Sequence, residues 1–161
     1  MINHCPGAFE YTSPFGRMIA VMDNDALGGL WFVGQRYCPE SIVLATDTTD
    51  AAHRVMQWLD RYFAGLCPRP GDLSLAPRGT DFQLRVWREL CEIPYGHVTT
   101  YGDIARRVGS SPRAVGGAIG RNPISVVIPC HRVIGAGGGL TGYAAGTGIK
   151  QHLLHHEGFI I

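Results

Sequence analysis

The chain has 161 residues, 45% of them hydrophobic, and a formal net charge of +1. This is the composition of a globular protein, and no apolar run approaches the ~20 residues of a membrane span, which argues against disorder and against a membrane partner. Five cysteines, odd in number, widely spaced and without a Cys-x-x-Cys pair, argue against a secreted disulfide framework.

The first residues, Met1-Ile2-Asn3-His4-Cys5-Pro6, show no basic-then-apolar leader pattern, so a cytoplasmic location is expected. His4, Cys5 and Cys38 lack metal-ligand spacing, and no metal is assigned to them. Residues 1–80 carry six Arg against eight acidic residues, a balance of −2, whereas residues 81–161 carry eight Lys and Arg against five acidic residues, a balance of +3. Any phosphate-bearing partner is therefore expected at the second half.

Residues 1–66 read as an N-terminal α/β (α+β) domain with a small antiparallel sheet. Phe9 to Thr12 meets a turn at Ser13-Pro14-Phe15-Gly16, Met18 to Met22 forms a second strand, and Asp23-Asn24-Asp25 turns into a third at Leu27 to Val33. Ala51, Val55, Trp58, Leu59, Tyr62 and Phe63 recur at helical spacing behind Asp50, a candidate N-cap. That stripe is core, and this half shows no catalytic constellation of its own. Residues 67–80, rich in proline and glycine, read as a linker.

Residues 81–161 read as a mainly helical domain. Thr80 or Asp81 caps a helix with Phe82, Val86, Leu90 and Ile93 on one stripe, stopped by Pro94-Tyr95-Gly96. Thr99 or Thr100 caps the next, with Tyr101, Ile104, Ala105 and Val108 inward. Gly109-Ser110-Ser111-Pro112 turns into a third helix, Arg113 to Gly120, closed by Asn122-Pro123. Helix, short turn, helix is a helix-turn-helix pattern of winged-helix type. The second of these helices contains Gly116, Gly117 and Gly120, each costing about 1 kcal/mol against alanine in a helix interior. Loss of bulk permits close approach, either to another helix or to a nucleic-acid groove. Small residues headed by Arg113 suit the narrow minor groove better than the wide major one.

In Val127-Ile128-Pro129-Cys130-His131-Arg132-Val133-Ile134 a polar triplet sits between apolar flanks that should be buried, so packed backbone holds it. A thiol with pKa ~8.5 is only a few per cent ionised near neutrality, so a nucleophilic cysteine needs a base or cation beside it. His131 and Arg132 are the candidates, and a buried structural cysteine is the alternative. Gly137 to Gly146 is a glycine-rich loop without phosphate-loop spacing. A last helix, Thr147 to Glu157, turns Ile149, Leu153 and Leu154 inward and ends on a carboxylate that opposes the helix dipole unless a histidine holds it.

Arg113-Ala114-Val115-Gly116-Gly117-Ala118, Asn122-Pro123, Ile128-Pro129-Cys130-His131-Arg132-Val133-Ile134, Gly142-Tyr143 and the terminal Glu157 together resemble the O6-alkylguanine-DNA alkyltransferases (methylated-DNA–protein-cysteine S-methyltransferases). Ile93-Pro94-Tyr95-Gly96 and Thr100-Tyr101-Gly102 fit as well, so the match spans about residues 80–158. The resemblance implies direct-reversal repair of double-stranded DNA. O6-alkylguanine, with O4-alkylthymine as a second candidate, is flipped out of the stack and its alkyl group passes once and permanently to Cys130. His131 acts as base through a water, Glu157 orients His131 and favours its charged form, and Tyr101 donates to the departing base. Asn122 braces the Cys130 turn, and Arg113 fills the vacated place in the stack. The carbonyl of Val133 and the loop residues Tyr143, Ala144 and Ala145 contact the base. Ile119 shapes tolerance for bulky adducts. No cofactor is implied, and the expected state in solution is a monomer.

Two other readings share some of these residues. A DNA-binding damage sensor keeps the helix-turn-helix and Arg113, but such relatives commonly carry tryptophan in place of the cysteine. A cysteine hydrolase would use Cys130 with His131, yet adjacent residues in extended backbone point apart.

Overall fold

The computed structural model describes residues 7–140 and 146–159. Period-two alternation builds a three-stranded antiparallel sheet from β1 (Ala8–Ser13), β2 (Gly16–Asp23) and β3 (Ala26–Phe32), in the order β1-β2-β3. Tight turns join them, pairing Ser13 with Gly16 and Asp23 with Ala26. Met18, Ala20 and Met22 of β2 face the core. A bulge between Val21 and Met22 shifts the register against β3, so that both Leu27 and Leu30 are buried. Helix α1 (Asp50–Phe63) is capped by Thr49, whose hydroxyl accepts from the Ala52 N–H; the sequence pointed to Asp50, which instead sits in the first turn. Its stripe of Ala51, Val55, Trp58, Leu59 and Tyr62 is buried.

The proline-rich segment after α1 is stitched down. The Trp58 indole donates to the Arg69 carbonyl at 2.7 Å, and Leu27 exchanges backbone hydrogen bonds with Ser74 and Ala76 at 2.9 Å each. Beyond it, α2 (Asp81–Cys91) starts with a reciprocal Thr80–Gln83 capping box. A short β4 (Thr99–Thr100) leads into α3 (Tyr101–Val108), where Thr100 caps by accepting from Asp103. Gly109, at φ +69°, ends α3 in the left-handed region that glycine reaches at no steric cost. Ser111 then caps α4 (Pro112–Gly120), with proline in its first turn.

The run around Cys130 departs from the extended reading. Cys130–Arg132 forms a single 3-10 turn, and only Val133–Ile134 is strand, β5, pairing in parallel with β4. The turn bends the chain because the Asn122 side chain occupies the backbone groups an extended strand would have used. Its amide donates to the Ile128 carbonyl at 2.9 Å, and its carbonyl oxygen accepts from the Ile124 N–H at 3.0 Å. Helix α5 (Thr147–His156) follows, with Glu157 as its C-cap and Gly158 at φ +88° beyond.

These elements make an α+β molecule with a small three-stranded antiparallel sheet and, among the described residues, five α-helices. One apolar cluster runs from Met18, Leu27 and Leu30 in the sheet through Leu59 in α1 to Val86, Ile104, Val115, Ile124 and Leu153. Leu30 couples the halves through the backbone as well: its N–H donates to the Pro123 carbonyl at 2.8 Å and its carbonyl accepts from Ser125 at 2.9 Å. No described helix is long and apolar enough to cross a membrane.

Because Leu30 belongs to both halves, Leu30→Ala is expected to lower the unfolding free energy by about 2–5 kcal/mol. Urea denaturation followed by circular dichroism and by tryptophan fluorescence should still give coincident single transitions. Separate transitions would show that the halves unfold independently.

Candidate functional site

The site is organised by a buried carboxylate. Glu157, at the end of α5, is met by donors from three other segments. His131 Nε2 lies 2.5 Å from Oε2, and the Tyr62 hydroxyl donates to the same oxygen at 2.7 Å. Arg132 donates through Nε to Oε1 at 2.7 Å and through Nη2 to Oε2 at 3.1 Å, and the Gly96 N–H reaches Oε1 at 3.1 Å. The sequence offered Arg132 as a cation for Cys130. The structure gives its guanidinium to Glu157 and to the Ile93 carbonyl at 2.7 Å instead, above the Tyr95 ring.

This surrounding fixes charge states. Burial alone would raise Glu157, but the hydrogen bonds and charges of His131 and Arg132 outweigh it and hold the carboxyl well below its usual range. An ionised carboxylate only accepts, so His131 Nε2 carries the hydrogen. For His131, burial is the largest influence. Burial lowers the imidazole from its ordinary 6.5; Glu157 favours the charged form, as expected, but burial outweighs it and the ring is neutral. A neutral ring protonated at Nε2 has its lone pair on Nδ1, and buried Nδ1 meets no hydrogen-bond partner among the described residues. The site thus places an orphaned, buried acceptor one residue from Cys130.

Cys130 is 5% exposed. The turn that holds it follows Val126 at φ +72°, a left-handed conformation that costs a β-branched residue of order 1–3 kcal/mol. Asn122 braces this segment as described above. Lys150, the chain's only lysine, is 1% exposed; its Nζ donates to the Val133 carbonyl at 2.5 Å and stands over the Tyr101 ring at 5.9 Å. Burial pulls its amine down to about 8, while the Cys130 sulfur pushes the other way. The sequence reading missed Lys150, although it shares a helical face with Leu153, Leu154 and Glu157. It also missed Tyr62, which lies in the first half and reads as core.

Tyr101 opens α3, and its ring lies 3.9 Å from where a Cβ on Gly116 would stand. Arg113 is exposed on the same face of α4 as Ala114 and Gly117, and Ile119 points the other way into the core. A Cβ on Gly117 or Gly120 would meet nothing within 4 Å, so packing within the molecule does not explain their small size. The structure thus brings Cys130, His131, Glu157, Asn122, Val133 and Lys150 together beside Tyr101, with Arg113 on the outer face of α4. Tyr143, Ala144 and Ala145 lie outside the described residues, as do His4 and Cys5, and among the described residues no group of three or more His, Cys, Asp or Glu could hold a metal ion.

Residues 81–159 match the family described as 6-O-methylguanine DNA methyltransferase, DNA binding domain. A methylated-DNA–protein-cysteine methyltransferase of Methanosarcina acetivorans is 43% identical over 150 residues, covering 92% of this chain and 96% of that one. The crystal structure of Mycobacterium tuberculosis OGT in complex with DNA superposes with a TM-score of 0.86 at 41% identity, covering 94% and 93% of the two chains. The O6-methylguanine-DNA methyltransferase of Pyrococcus kodakaraensis superposes at 0.69 with 27% identity, covering 94% and 98%.

Folding depresses both His131, from 6.5, and Glu157, from 4.5. The unfolded chain therefore binds protons more tightly at both, and the stability they contribute is complete above about pH 6.5 and lost as pH falls. Urea midpoints measured from pH 7.5 down to pH 4 should decline, and Glu157→Gln should flatten the decline below pH 5.

Proposed function

The chain belongs to the 6-O-methylguanine DNA methyltransferases, and from that premise we propose that it is a direct-reversal repair protein in which Cys130 takes an alkyl group from O6 of guanine in duplex DNA. The observation that carries the reading is the buried His131 Nδ1, unpartnered among the described residues and one residue from the thiol while Nε2 is held by Glu157.

The proton of Cys130 passes through a bridging water to His131 Nδ1, and Glu157 steadies the resulting imidazolium. The thiolate attacks the alkyl carbon in line; the S–C bond forms as the C–O bond to guanine breaks. The departing guanine takes up a proton, with Tyr101 as its immediate donor and Lys150, above the Tyr101 ring, as the cation that favours this transfer. Overall the thiol's proton replaces the alkyl group on guanine, and the sulfur is left as a thioether that cannot return to thiol. Each chain therefore acts once. The Val133 carbonyl already accepts from Lys150 but keeps a second lone pair for the guanine amino group.

The alkylated carbon is out of reach inside the duplex, so the base must rotate out of the stack. α3 and α4 serve as the helix-turn-helix. The open space beside Gly117 and Gly120 supports close approach of a minor groove to α4, with Arg113 entering the stack where the base has left. Residues 1–66 form the supporting domain, 67–80 the connection and 81–161 the DNA-binding and transfer domain. Tyr143 forms a wall of the base pocket, and Ala144 and Ala145 offer backbone N–H groups to the base. On this reading the protein works as a cytoplasmic monomer on O6-alkylguanine, with O4-alkylthymine as a second substrate.

Mixing the intact protein with a duplex holding one O6-methylguanine should add one methylene mass unit to Cys130, with no more than one transfer per chain. Binding without mass gain would indicate a sensor, and repeated turnover a conventional enzyme. Arg113→Ala should slow repair of duplex DNA at least tenfold while leaving the reaction with free O6-benzylguanine within about twofold, the signature of a residue that acts only on the stack. Equal losses on both substrates would remove that role.

A further inference from the structure

Glu157 Oε2 carries three donors: His131 Nε2–H, the Tyr62 hydroxyl and, more loosely, Arg132 Nη2. Two of these come from the turn that holds Cys130. The third comes from α1, in the half of the molecule without a nucleophile. Tyr62 is fully buried, stacked on Trp58 at 5.8 Å and edge-on to Phe63 and Tyr95. Phenylalanine would fill that space equally well, so the ring alone does not account for a tyrosine. A buried hydroxyl is costly without a partner, and this one has a carboxylate oxygen. Tyr62 grips α5 a second time, its carbonyl accepting from His156 Nε2 at 2.8 Å.

We infer that Tyr62 is a positioning residue for alkyl transfer, its hydroxyl setting the basicity of His131 by sharing the Glu157 oxygen to which His131 is bonded. The inference rests on the alkyl-transfer reading for its consequence, though not for its physics. A hydrogen bond from the phenol draws negative charge off Oε2. That oxygen then stabilises an imidazolium less, and His131 stays neutral to lower pH. Burial, reinforced by Glu157, pushes the Tyr62 phenol above its ordinary range, so it remains a donor at any working pH.

The charged and titratable groups facing this pair come from every element around it. They are Tyr62 on α1, Tyr95 after α2, Cys130 and Arg132 on the 3-10 turn, and Lys150 and His156 on α5. Arg132 and Lys150 both lower His131, and Glu157 alone raises it. Tyr62 is thus the neutral group through which the first half moderates Glu157, the anion that, among the described residues, sustains a charged His131.

The test is Tyr62→Phe in the full-length protein, with the His131 ring followed by nitrogen NMR across pH. Titration of His131 should move upward by about half a pH unit. The acid limb of the rate of Cys130 alkylation by free O6-benzylguanine should move with it. In a Glu157→Gln background, Tyr62→Phe should shift neither, because the effect runs through the carboxylate. Should the Phe variant fail to fold, replacing the tyrosines by 3-fluorotyrosine, a stronger donor, should move His131 downward. An unmoved His131, or the same shift without the carboxylate, overturns the inference and leaves Tyr62 a tie between helices. Wild-type protein that gains no mass from the O6-methylguanine duplex would defeat the alkyl-transfer reading, and the NMR titration would still decide the role of Tyr62.

Discussion

A carboxylate removed from water must be met by donors at both oxygens, or the fold around it is lost. Glu157 meets that condition with groups drawn from α1, from the loop after α2 and from the turn that carries the nucleophile. The demand explains much of the architecture. Gly96 must present its N–H, at φ +79°, and its Cβ position lies 3.1 Å from the Glu157 carbonyl, so a side chain there would be both strained and crowded. Arg132 must turn away from the sulfur beside it. α1 must lie where a tyrosine reaches across 95 positions of sequence.

The same condition selects the chemistry. An anion fixed by an arginine stays ionised, which fixes the hydrogen of His131 on the nitrogen facing it. The opposite nitrogen is left with its lone pair, in a setting where burial keeps it from being protonated at rest. On the proposed reading this lone pair is the base for Cys130, and the imidazole carries no charge until the reaction supplies one.

Local patterns were readable where local physics decides. Period-two strands with two-residue turns, the stripe of α1 and the caps at Thr80 and Thr100 each follow from neighbours a few residues away. Cys130, His131, Asn122 and Glu157 stood out because their order is so specific, and the structure brings them together. The extended reading of the Cys130 run failed because apolar flanks suit a strand and a turn equally, and the deciding hydrogen bonds come from Asn122, which reads simply as a helix stop. Lys150 was hidden by the habit of assigning lysine to solvent, although it lies on the same face as Leu153 and Leu154. Tyr62 was hidden by distance: nothing near it in sequence says that its hydroxyl ends on a carboxylate. Ile119, expected to shape tolerance for bulky adducts, lies on the buried face of α4 with Val115 and Ala118.

The tie between Tyr62 and Glu157 has a consequence for biogenesis. The groups that ready the sulfur on the proposed reading come from the beginning, middle and end of the fold, so a partly folded or prematurely terminated copy carries a thiol with no tuned base behind it. Such a chain holds Cys130 as an ordinary thiol, only a few per cent ionised near neutrality, and on the proposed reading its readiness for alkyl transfer arrives only when folding has finished.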